Sequence, residues 1–407
     1  MDPFWSGRHL LVGVSGGIAA YKTCALVSSL AQQGAEVKVV LTAAAERFVS
    51  PLTFAALSRQ PALTDAEFWQ ATRGRPLHIE LGEWAEAILI APLSANTLAK
   101  LAHGFADNLL TNVVLASCCP VALAPAMNTQ MWRSPVVAEN WQLLQRDPRF
   151  WALPTAKGRL ACDAVGEGRL LEPEALQAYM LALLWTQGRR DWQGKQVLVT
   201  AGGTREPIDA VRFIGNPASG RMGVALAVAA ACRGARVTLV HGPLGIPFQA
   251  EPFGIQVLAV ETAAQLEQAL NTLFPEVDVL WMAAAVGDVR PAHAFTGKLP
   301  KAQLPETLPL QPIPDIVAAL SQNKHPTQRI IGFAAQTGDP LPLAQAKLSQ
   351  KGLDAIVANP IDLPESGFGS SHNQGYWIPR CGEIEKILPC EKAIMAHQLL
   401  DLALQLG

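Results

Sequence analysis

The chain has 407 residues, of which 50% are hydrophobic and 16% are charged, and its formal net charge at pH 7 is −2. This length suits two to three domains with apolar cores, and the near-neutral charge gives no electrostatic reason to expect a nucleic-acid or anionic-membrane partner. No run of 18 apolar residues predicts a transmembrane helix, and the first residues lack the basic region of a signal peptide. We therefore expect a cytoplasmic protein.

The first half begins with a strand, a glycine turn and a helix. "HLLVGV" (9–14) predicts a buried strand, the run after "SGG" has helical spacing up to Gly34, and "EVKVVLT" (36–42) predicts the next strand. Further strands are predicted at 87–92 and 121–125, with a helical region at 93–116 between them. This alternation indicates a parallel, doubly wound sheet.

The same plan starts again after a polar segment, 186–195, which we interpret as a linker. "QVLVTAGG" (196–203) repeats strand and glycines, residues 219–235 predict a helix of small side chains, and "RVTLVHG" predicts a strand. Three more strand-then-loop units are predicted at 277–288, 329–336 and 353–360. We therefore predict an α/β protein of two doubly wound, Rossmann-like domains, residues 1–187 and 190–407.

The glycine turn in "GVSGGIAAYK" (13–22) has the strand-to-helix setting in which backbone N–H groups bind phosphate. The alternative is that Gly16 and Gly17 only make a tight turn. A dinucleotide site would need an acidic residue at the end of the second strand, where this chain has Thr42, and no P-loop motif occurs. A mononucleotide such as FMN, or a triphosphate held in another way, is therefore favoured.

The seven cysteines are scattered and show neither zinc-ligand spacing nor a disulfide framework. Cys24 and Cys232 lie in helix-like apolar runs and are predicted to be core residues. Cys162 differs, because it stands among glycines and charges in "KGRLACDAVGEGRL" (157–170), which we interpret as a flap.

Several motifs resemble those of known enzymes. "GVSGGIAAYK", "HIELGEWAEAILIAPLSANT", "PAMNTQMW" and "RLACDAVGEGR" resemble, in that order, the motifs of flavin-dependent cysteine decarboxylases. "GGTREPIDAVRFIGNPASGRMG", "AAAVGD", "GFAAQT" and "DAIVANP" resemble phosphopantothenate–cysteine ligase. Both sets in one chain resemble the family of bifunctional coenzyme A biosynthesis proteins.

The resemblance implies two activities and their small-molecule substrates. A flavodoxin-like N-terminal domain would use FMN to decarboxylate 4'-phosphopantothenoylcysteine to 4'-phosphopantetheine. A C-terminal nucleotide-binding domain would use CTP and Mg²⁺ to join 4'-phosphopantothenate to cysteine through an acyl-cytidylate. The resemblance also implies a homo-oligomer.

For the decarboxylase, the resemblance implies that the substrate thiol is first oxidised to a thioaldehyde, which then accepts the electrons released with CO2. It assigns His78 as base, Asn128 to the substrate carboxylate and Cys162 as proton donor on the flap. The alternatives are a surface histidine for His78 and a buried structural thiol for Cys162. The chain also departs from the usual Cys-Gly-Asp, because Asp163 and Ala164 follow Cys162. Met131 and Trp132 would be wall residues, and the flavin contacts would be Ser15, Gly16, Gly17, Thr42, Ser94, Asn96 and Thr97, with helix capping as the alternative for Ser94.

For the ligase, the resemblance assigns Lys298 as the catalytic lysine. It assigns Asn216 to the conversion of the acyl-cytidylate to product. "KLPK" (298–301) departs from the usual K-x-K-K, because Pro300 replaces one lysine. Ser219, Gly220 and the start of the following helix would form an anion pocket for the phosphate of phosphopantothenate, and Asp288 would also bind the metal. The nucleotide contacts would be Met282, Ala283, Ala284, Asp288, Pro314, Asp315, Ile316, Val317, Phe333, Lys347 and Lys351. Lysines at helical spacing are also common on solvated faces, and Asn before Pro is a common turn signal.

Two other functions were considered. A flavoprotein of the same fold could be a binding or regulatory subunit without chemistry, but His78, Asn128, Cys162 and Lys298 are all present. A nicotinamide oxidoreductase is disfavoured, because the acidic ribose ligand is missing after both second strands.

Overall fold

The computed structural model describes residues 4–70, 74–160, 163, 165–363, 367 and 369–406. The chain divides into two compact units, Met1–Asp191 and Trp192–Gly407. The boundary lies inside the polar segment 186–195. Each unit has its own sheet and its own apolar core.

Unit 1 alternates strands and helices from its start. Its strands are β1 (His9–Val14), β2 (Glu36–Leu41), β3 (Ala62–Leu63), β4 (Ala87–Leu93), β5 (Val121–Pro125), β6 (Phe150–Ala152), β7 (Ala156–Arg159) and β8 (Val165–Arg169). Its helices are α1 (Ala20–Gln32), α2 (Pro51–Ser58), α3 (Asp65–Phe68), α4 (Leu77–Trp84), α5 (Ala95–Ala102), α6 (Leu109–Ala116), α7 (Thr129–Trp132), α8 (Pro135–Leu144) and α9 (Pro173–Trp185).

The main sheet of unit 1, within the described residues, is parallel and has the order β3-β2-β1-β4-β5-β6. Every residue of β4 is buried, as expected for a parallel strand with helices on both faces. The predicted doubly wound fold is confirmed; the order is 3-2-1-4-5-6, whereas flavodoxin has 2-1-3-4-5. The direction of winding reverses between β1 and β4, and ligands of such folds bind outside the carboxyl ends of the strands at that point.

Unit 2 has more strands and fewer helices. Its strands are β9 (Gln196–Ala201), β10 (Arg205–Pro207), β11 (Phe213–Gly215), β12 (Arg236–His241), β13 (Gln256–Ala259), β14 (Val279–Met282), β15 (Val289–Pro291), β16 (Leu310–Pro312), β17 (Arg329–Gln336), β18 (Ala355–Pro360), β19 (His372–Pro379) and β20 (Glu385–Glu391). Its helices are α10 (Arg221–Cys232), α11 (Ala263–Leu273), α12 (Ile316–Asn323), α13 (Leu341–Gln350) and α14 (Lys392–Leu404), with short 3₁₀ turns at Glu251–Phe253, Phe274–Glu276 and Lys301–Gln303.

The main sheet of unit 2, over the described part of the chain, has the order β13-β12-β9-β14-β17-β18-β19-β20. It is parallel up to β18, and β19 and β20 are antiparallel. The connection through α10 crosses the sheet in one direction, and those through α11, α12 and α13 cross it in the other. Right-handed crossovers therefore place α10 on one face and the other three helices on the opposite face. Helix α14 packs against α10, and α11, α12 and α13 share one apolar core.

Three features differ from the predictions or refine them. The helical region 93–116 is two helices, because Asn108 begins α6 by accepting a hydrogen bond from the N–H of Thr111 (3.0 Å). Strands β19 and β20 were not predicted, since β20 is mostly exposed and has no apolar run. Cys232 is buried as predicted, and burial raises the pKa of its thiol, whereas Cys24 is only half-buried.

Candidate functional site

The switch point of unit 1 is held together by Ser15. Its buried hydroxyl donates to the carbonyl O of Pro92 (2.7 Å) and accepts from the N–H of Ser94 (2.8 Å), so it ties the end of β1 to the end of β4. Ser94 caps α5 by accepting from the N–H of Thr97 (3.3 Å), which is the alternative considered for it. Ser15, Ser94 and Thr97, which are three of the predicted flavin residues, therefore hold together the ends of β1 and β4 and the start of α5.

The two glycines of the turn have different surroundings, because Gly16 is closely packed and Gly17 is open. A Cβ at Gly16 would lie 2.4 Å from the Cβ of Ala44, so this position needs glycine. Gly17 borders open space, with Pro92 at 4.0 Å. The N-cap of α1, Ala19, makes no side-chain hydrogen bond, but the N–H groups of Ala20 and Lys22 already donate to the carbonyl O of Gly17 and of Ala19 (3.0 Å each), so only the other N–H groups of the first turn are left for an anion.

The remaining predicted flavin residues are placed differently. Thr42 follows β2, is half-buried and accepts from the N–H of Ala45 (3.3 Å). Asn96 is exposed on the first turn of α5. Thr97 is only 3% exposed. Thr97 therefore supports the edge, and Asn96 is the member of the pair that reaches solvent.

His78 lies in the first turn of α4 and is half-buried. The ring of Phe68 meets its imidazole edge to face, with centroids 5.6 Å apart. Its Nδ1 is buried and has no hydrogen-bond partner among the described residues. A buried ring nitrogen without a hydrogen-bond partner is an unsatisfied polar group of the kind that is rare in native structures.

Asn128 begins α7 directly after β5, and its Oδ1 accepts from the N–H of Gln130 (2.8 Å). The same loop holds the hairpin β7–β8: the N–H of Met127 donates to the carbonyl O of Gly168 (2.8 Å) and the hydroxyl of Thr129 donates to that of Glu167 (2.6 Å). The base of the flap thus docks on the Asn128 loop. Of the predicted wall residues in α7, Met131 is exposed and Trp132 packs edge to face on Trp141 at 5.3 Å.

Cys162 falls between β7 and β8 in the sequence and lies outside the described residues, so its predicted role stays a prediction. Its neighbour Asp163 has φ +63°, and Arg159 binds the Asp163 carboxylate through Nε and Nη2 (3.1 and 2.7 Å). Glycine adopts this left-handed region freely and aspartate tolerates it better than most residues. The departure from the usual Cys-Gly-Asp therefore keeps the backbone conformation that glycine would favour.

Unit 2 contains a cavity of about 450 Å³ that opens beside β9, β14, β17 and β18. It brings together every predicted ligase residue except Lys298. These residues are Asn216, Ser219, Gly220, Met282, Ala283, Ala284, Asp288, Pro314, Asp315, Ile316, Val317, Phe333, Lys347 and Lys351.

Two loops at the switch point between β9 and β14 are joined by backbone hydrogen bonds. The N–H of Ala285 donates to the O of Gly202 (2.8 Å), and the N–H of Thr204 donates to the O of Ala285 (3.2 Å). The amide Nδ2 of Asn216 donates to the carbonyl O of Ala285 and of Val286 (3.3 Å each). Asn216 is therefore fixed against the loop that leads to Asp288.

The opposite side of the cavity is formed by α12 and α13. Asp315 caps α12 by accepting from the N–H of Ala318 (3.1 Å) and pairs with the Nζ of Lys351 at 3.1 Å. Lys347 lies one turn before Lys351, and Phe333 lies on β17 with its ring 6.5 Å from that of Trp281. An aromatic face and two ammonium groups at one end can hold a base and its phosphates.

Lys298 is exposed on a loop, residues 292–300, that is bound to the segment between β10 and β11. The N–H of Leu299 donates to the buried carboxylate of Asp209 (3.2 Å), and Arg212 reaches both that carboxylate and the O of Leu299 (3.3 Å). Burial alone would raise the pKa of the Asp209 carboxyl, but the N–H groups of Val211, Arg212 and Leu299 and the Arg212 guanidinium outweigh it, so the pKa lies below its ordinary value. Lys298 is thus held next to this clamp and not in the cavity wall.

Four polar residues of the cavity wall were not named among the predicted contacts: Arg221, Asn359, Asn373 and Lys392. Arg221 stands inside the quoted motif "GNPASGRMG", so its position was available from the sequence. Asn359 is the penultimate residue of β18 and stands inside the quoted motif "DAIVANP", whereas Lys392 begins α14 and has no local sequence signal.

The acidic residues of the cavity suit a metal that arrives with a nucleotide. Across the described residues, no group of three or more His, Cys, Asp and Glu side chains is arranged to hold a metal ion. Mg²⁺ commonly binds through one or two carboxylates together with substrate phosphates. The exposed carboxylate of Asp288 fits that role.

No helix in the described parts of the chain has the length and apolar character needed to cross a membrane.

Comparison with known proteins gave matches over both units. Residues 5–184 match the family Flavoprotein, and residues 192–406 match the DNA/pantothenate metabolism flavoprotein C-terminal domain. The coenzyme A biosynthesis bifunctional protein CoaBC of Bacillus subtilis is 42% identical over 90% of this chain and 89% of its own length. That of Vibrio vulnificus is 40% identical over 97% of both chains. A solved C-terminal domain of such a protein is 33% identical and covers 52% of this chain and 94% of its own, with a TM-score of 0.44.

The two family matches divide the chain in the same place as its two compact units, and the relatives extend across both. The chain therefore belongs to the family of bifunctional coenzyme A biosynthesis proteins, with an N-terminal flavoprotein domain followed by the C-terminal domain of that family.

Proposed function

We propose that this chain carries out two steps of coenzyme A biosynthesis. Unit 2 joins 4'-phosphopantothenate to cysteine with CTP through an acyl-cytidylate, and unit 1 decarboxylates the resulting 4'-phosphopantothenoylcysteine to 4'-phosphopantetheine with FMN. The observation that carries the proposal is the cavity of unit 2, which is lined by residues from all four stretches that resemble ligase motifs.

The ligase chemistry requires a carboxylate to attack a nucleotide phosphate, so negative charge accumulates where the two substrates meet. Lys347 and Lys351 offer ammonium groups at the nucleotide end, and Phe333 offers a ring for the base. Asp288 would hold Mg²⁺ together with the phosphates. Asn216 lies beside the same loop, where its carboxamide can orient the activated acyl group for attack by the cysteine amine.

Lys298 would enter this cavity only when its loop leaves the position described here. Lys298 is anchored through the neighbouring Leu299 and the Asp209–Arg212 clamp. The clamp joins the loop to the buried carboxylate of Asp209 through a few hydrogen bonds, and a local opening that breaks only these contacts would release Lys298 without unfolding the sheet. We assign Lys298 to the neutralisation of charge as pyrophosphate leaves.

The decarboxylase chemistry would take place at the switch point of unit 1. The glycine turn before α1 and the open space beside Gly17 suit the phosphate of FMN, which when bound would supply the oxidation and the later reduction of the substrate. Asn128, whose Oδ1 caps α7, is assigned to the substrate carboxylate. His78 exchanges the proton of the substrate thiol, and Cys162 donates a proton to carbon from the flap.

A homo-oligomer would cover apolar side chains at this edge of unit 1. Ile18 and Tyr21 at the start of α1 are 57% and 60% exposed, and Phe105 after α5 is 58% exposed. Apolar residues around a ligand site commonly mark an interface. We propose that subunits associate through this region and complete the flavin site.

The experiment that tests the proposal is product analysis with the purified full-length chain. With 4'-phosphopantothenate, cysteine and CTP we expect pyrophosphate, CMP and 4'-phosphopantetheine, and with ATP in place of CTP a much slower reaction. Flavin absorbance without any turnover would instead identify a binding or regulatory flavoprotein. Pyrophosphate release without decarboxylation would refute the role given to unit 1.

A further inference from the structure

Two buried threonines at the end of β9 make contacts that no step above uses. Thr200 is the penultimate residue of β9 and is 0% exposed, and Thr204 lies three residues after this strand and is 2% exposed. Neither is among the residues that line the cavity. A buried hydroxyl group is normally hydrogen-bonded, so the groups that it binds show what it supports.

Both hydroxyl groups hold the segment that follows β14, residues 283–288, which we name the exit loop. Thr200 Oγ1 accepts a hydrogen bond from the N–H of Ala284 (3.0 Å). Thr204 Oγ1 accepts a hydrogen bond from the N–H of Gly287 (3.0 Å). The two threonines therefore bind the exit loop near its beginning and near its end.

The hydroxyl groups extend a short backbone pairing between the loops that follow β9 and β14. In the middle of this pairing, the N–H of Ala285 donates to the O of Gly202 (2.8 Å) and the O of Ala285 accepts from the N–H of Thr204 (3.2 Å). Neighbouring strands send their chains in opposite directions at a switch point, so backbone pairing cannot continue there. The N–H groups on either side of Ala285 are bound by side-chain oxygens instead. The conformation of the exit loop therefore depends on the two hydroxyl groups.

Thr204 differs from Thr200 because it acts next to Asp288. Its partner Gly287 directly precedes Asp288, whose carbonyl O accepts from the N–H of Ile313 (2.9 Å). The backbone around Asp288 is therefore held on both sides, while the Asp288 carboxylate is exposed at the cavity. Loss of the hydrogen bond from Gly287 to Thr204 would release one of these two sides.

We propose that Thr204 is a positioning residue of the ligase, whose hydroxyl holds Gly287 so that the carboxylate of the following Asp288 meets the metal ion that arrives with the nucleotide. This rests on the proposed ligase function. Mg²⁺ requires nearly ideal octahedral geometry with ligand distances of about 2.0–2.1 Å, so a small displacement of one carboxylate weakens its binding. Thr204 acts through Asp288, because its own side chain does not reach the cavity.

The test replaces the hydroxyl of Thr204 and leaves the size of the side chain nearly unchanged. In Thr204→Val a methyl group stands where the N–H of Gly287 needs an acceptor, so the exit loop occupies its binding position for a smaller fraction of the time. The Mg²⁺ concentration that gives half-maximal pyrophosphate release should rise about tenfold to a hundredfold, with KM for cysteine within twofold. Thr204→Ser keeps the hydroxyl and should stay close to the wild-type chain. If Thr204→Ser were impaired as much as Thr204→Val, the hydroxyl would not be the positioning group and the proposal would be wrong.

Thr200→Val is the matched control. Thr200 is also buried, also accepts one N–H of the exit loop and donates to the carbonyl O of Trp281 (3.4 Å), so its loss should lower the melting temperature at least as much. Its partner Ala284 lies four residues before Asp288, and the Mg²⁺ requirement should therefore stay within twofold. An equal rise of the Mg²⁺ requirement in Thr200→Val and Thr204→Val would show that the loop responds as a whole, and would overturn the specific role of Thr204.

A binding measurement without turnover separates this proposal from the proposed function. The full chain is titrated calorimetrically with CTP, with and without Mg²⁺ and in the absence of 4'-phosphopantothenate. Mg²⁺ should strengthen CTP binding to the wild-type chain, and this gain should shrink in Thr204→Val while the affinity for CTP without Mg²⁺ stays within twofold. A Thr204-dependent gain in a protein that forms no product would refute the ligase function and keep the role of Thr204. The same gain in the wild-type chain and Thr204→Val, in a protein that does form product, would refute the role of Thr204 and keep the ligase function.

Discussion

Replacement of Gly168 by alanine tests whether the hairpin β7–β8 must stay docked on the Asn128 loop for decarboxylation. Gly168 has φ +109°, and a Cβ there would lie 2.2 Å from the carbonyl O of Met127. Because that oxygen belongs to the backbone, the hairpin must move away. The move would also break the hydrogen bond from the N–H of Met127 to the O of Gly168 (2.8 Å).

The expected loss of CO2 release follows from two contributions, the backbone strain at residue 168 and the lost hydrogen bond. A side chain forced into the left-handed region costs about 1–2 kcal/mol, and the lost hydrogen bond costs about 1 kcal/mol. A total of about 2–3 kcal/mol lowers the docked population, and so CO2 release, about 30- to 150-fold. Pyrophosphate release by unit 2 of the same molecules should not change.

Gly104→Ala is the matched control. Gly104 also has a positive φ (+70°) in unit 1, but a Cβ there would meet nothing within 4 Å. CO2 release and thermal melting would be measured for both variants. If Gly168→Ala kept more than half of the wild-type rate, or if Gly104→Ala lost as much activity, the argument that docking places the flap would be wrong.

Cys162→Ser should release CO2 once and then stop with the flavin reduced, which stopped-flow absorbance would record; sustained turnover would contradict the proton-donor role. Lys298→Gln should abolish pyrophosphate release while CO2 release from supplied 4'-phosphopantothenoylcysteine continues, and loss of both would show that the units are not independent. Asp209→Asn should weaken the clamp on Leu299 and change kcat for pyrophosphate release with melting temperature nearly constant; an unchanged kcat would mean that the clamp does not govern Lys298. Asp163→Gly should leave CO2 release within twofold, because glycine adopts φ +63° freely, and a large loss would show that the Arg159 ion pair is required.

Much of the candidate site could be predicted because parallel strands bring their carboxyl ends to one edge. Ser15, Ser94 and Asn128 each follow a predicted strand of unit 1, and Asp288 follows a predicted strand of unit 2. A residue that follows a strand of such a sheet has a definite place, whatever lies between the strands in the chain. Most of the residues that line the cavity of unit 2 were therefore predicted, either from this rule or from the motifs.

Other assignments needed the packing of side chains. Whether Ser94 caps a helix or faces a ligand depends on its hydrogen bond to Thr97, and Thr97 is buried where Asn96 is not. Lys298 stands in a matching motif, yet its loop is held by Asp209 and Arg212. These outcomes depend on which neighbours meet in space, and spacing along the chain does not contain that information.

The amino-acid sequence by itself determined the α/β class, the two doubly wound units and the strand ends at which chemistry is placed, because apolar periodicity and glycine turns are local properties. The tertiary structure alone decided that Lys392 and Asn359 join Arg221 in one cavity. The antiparallel return of β19 and β20 carries the chain back to the carboxyl edge of β18, where α14 begins against α10. Contacts between such distant segments come from sheet pairing and helix packing, which no local pattern records.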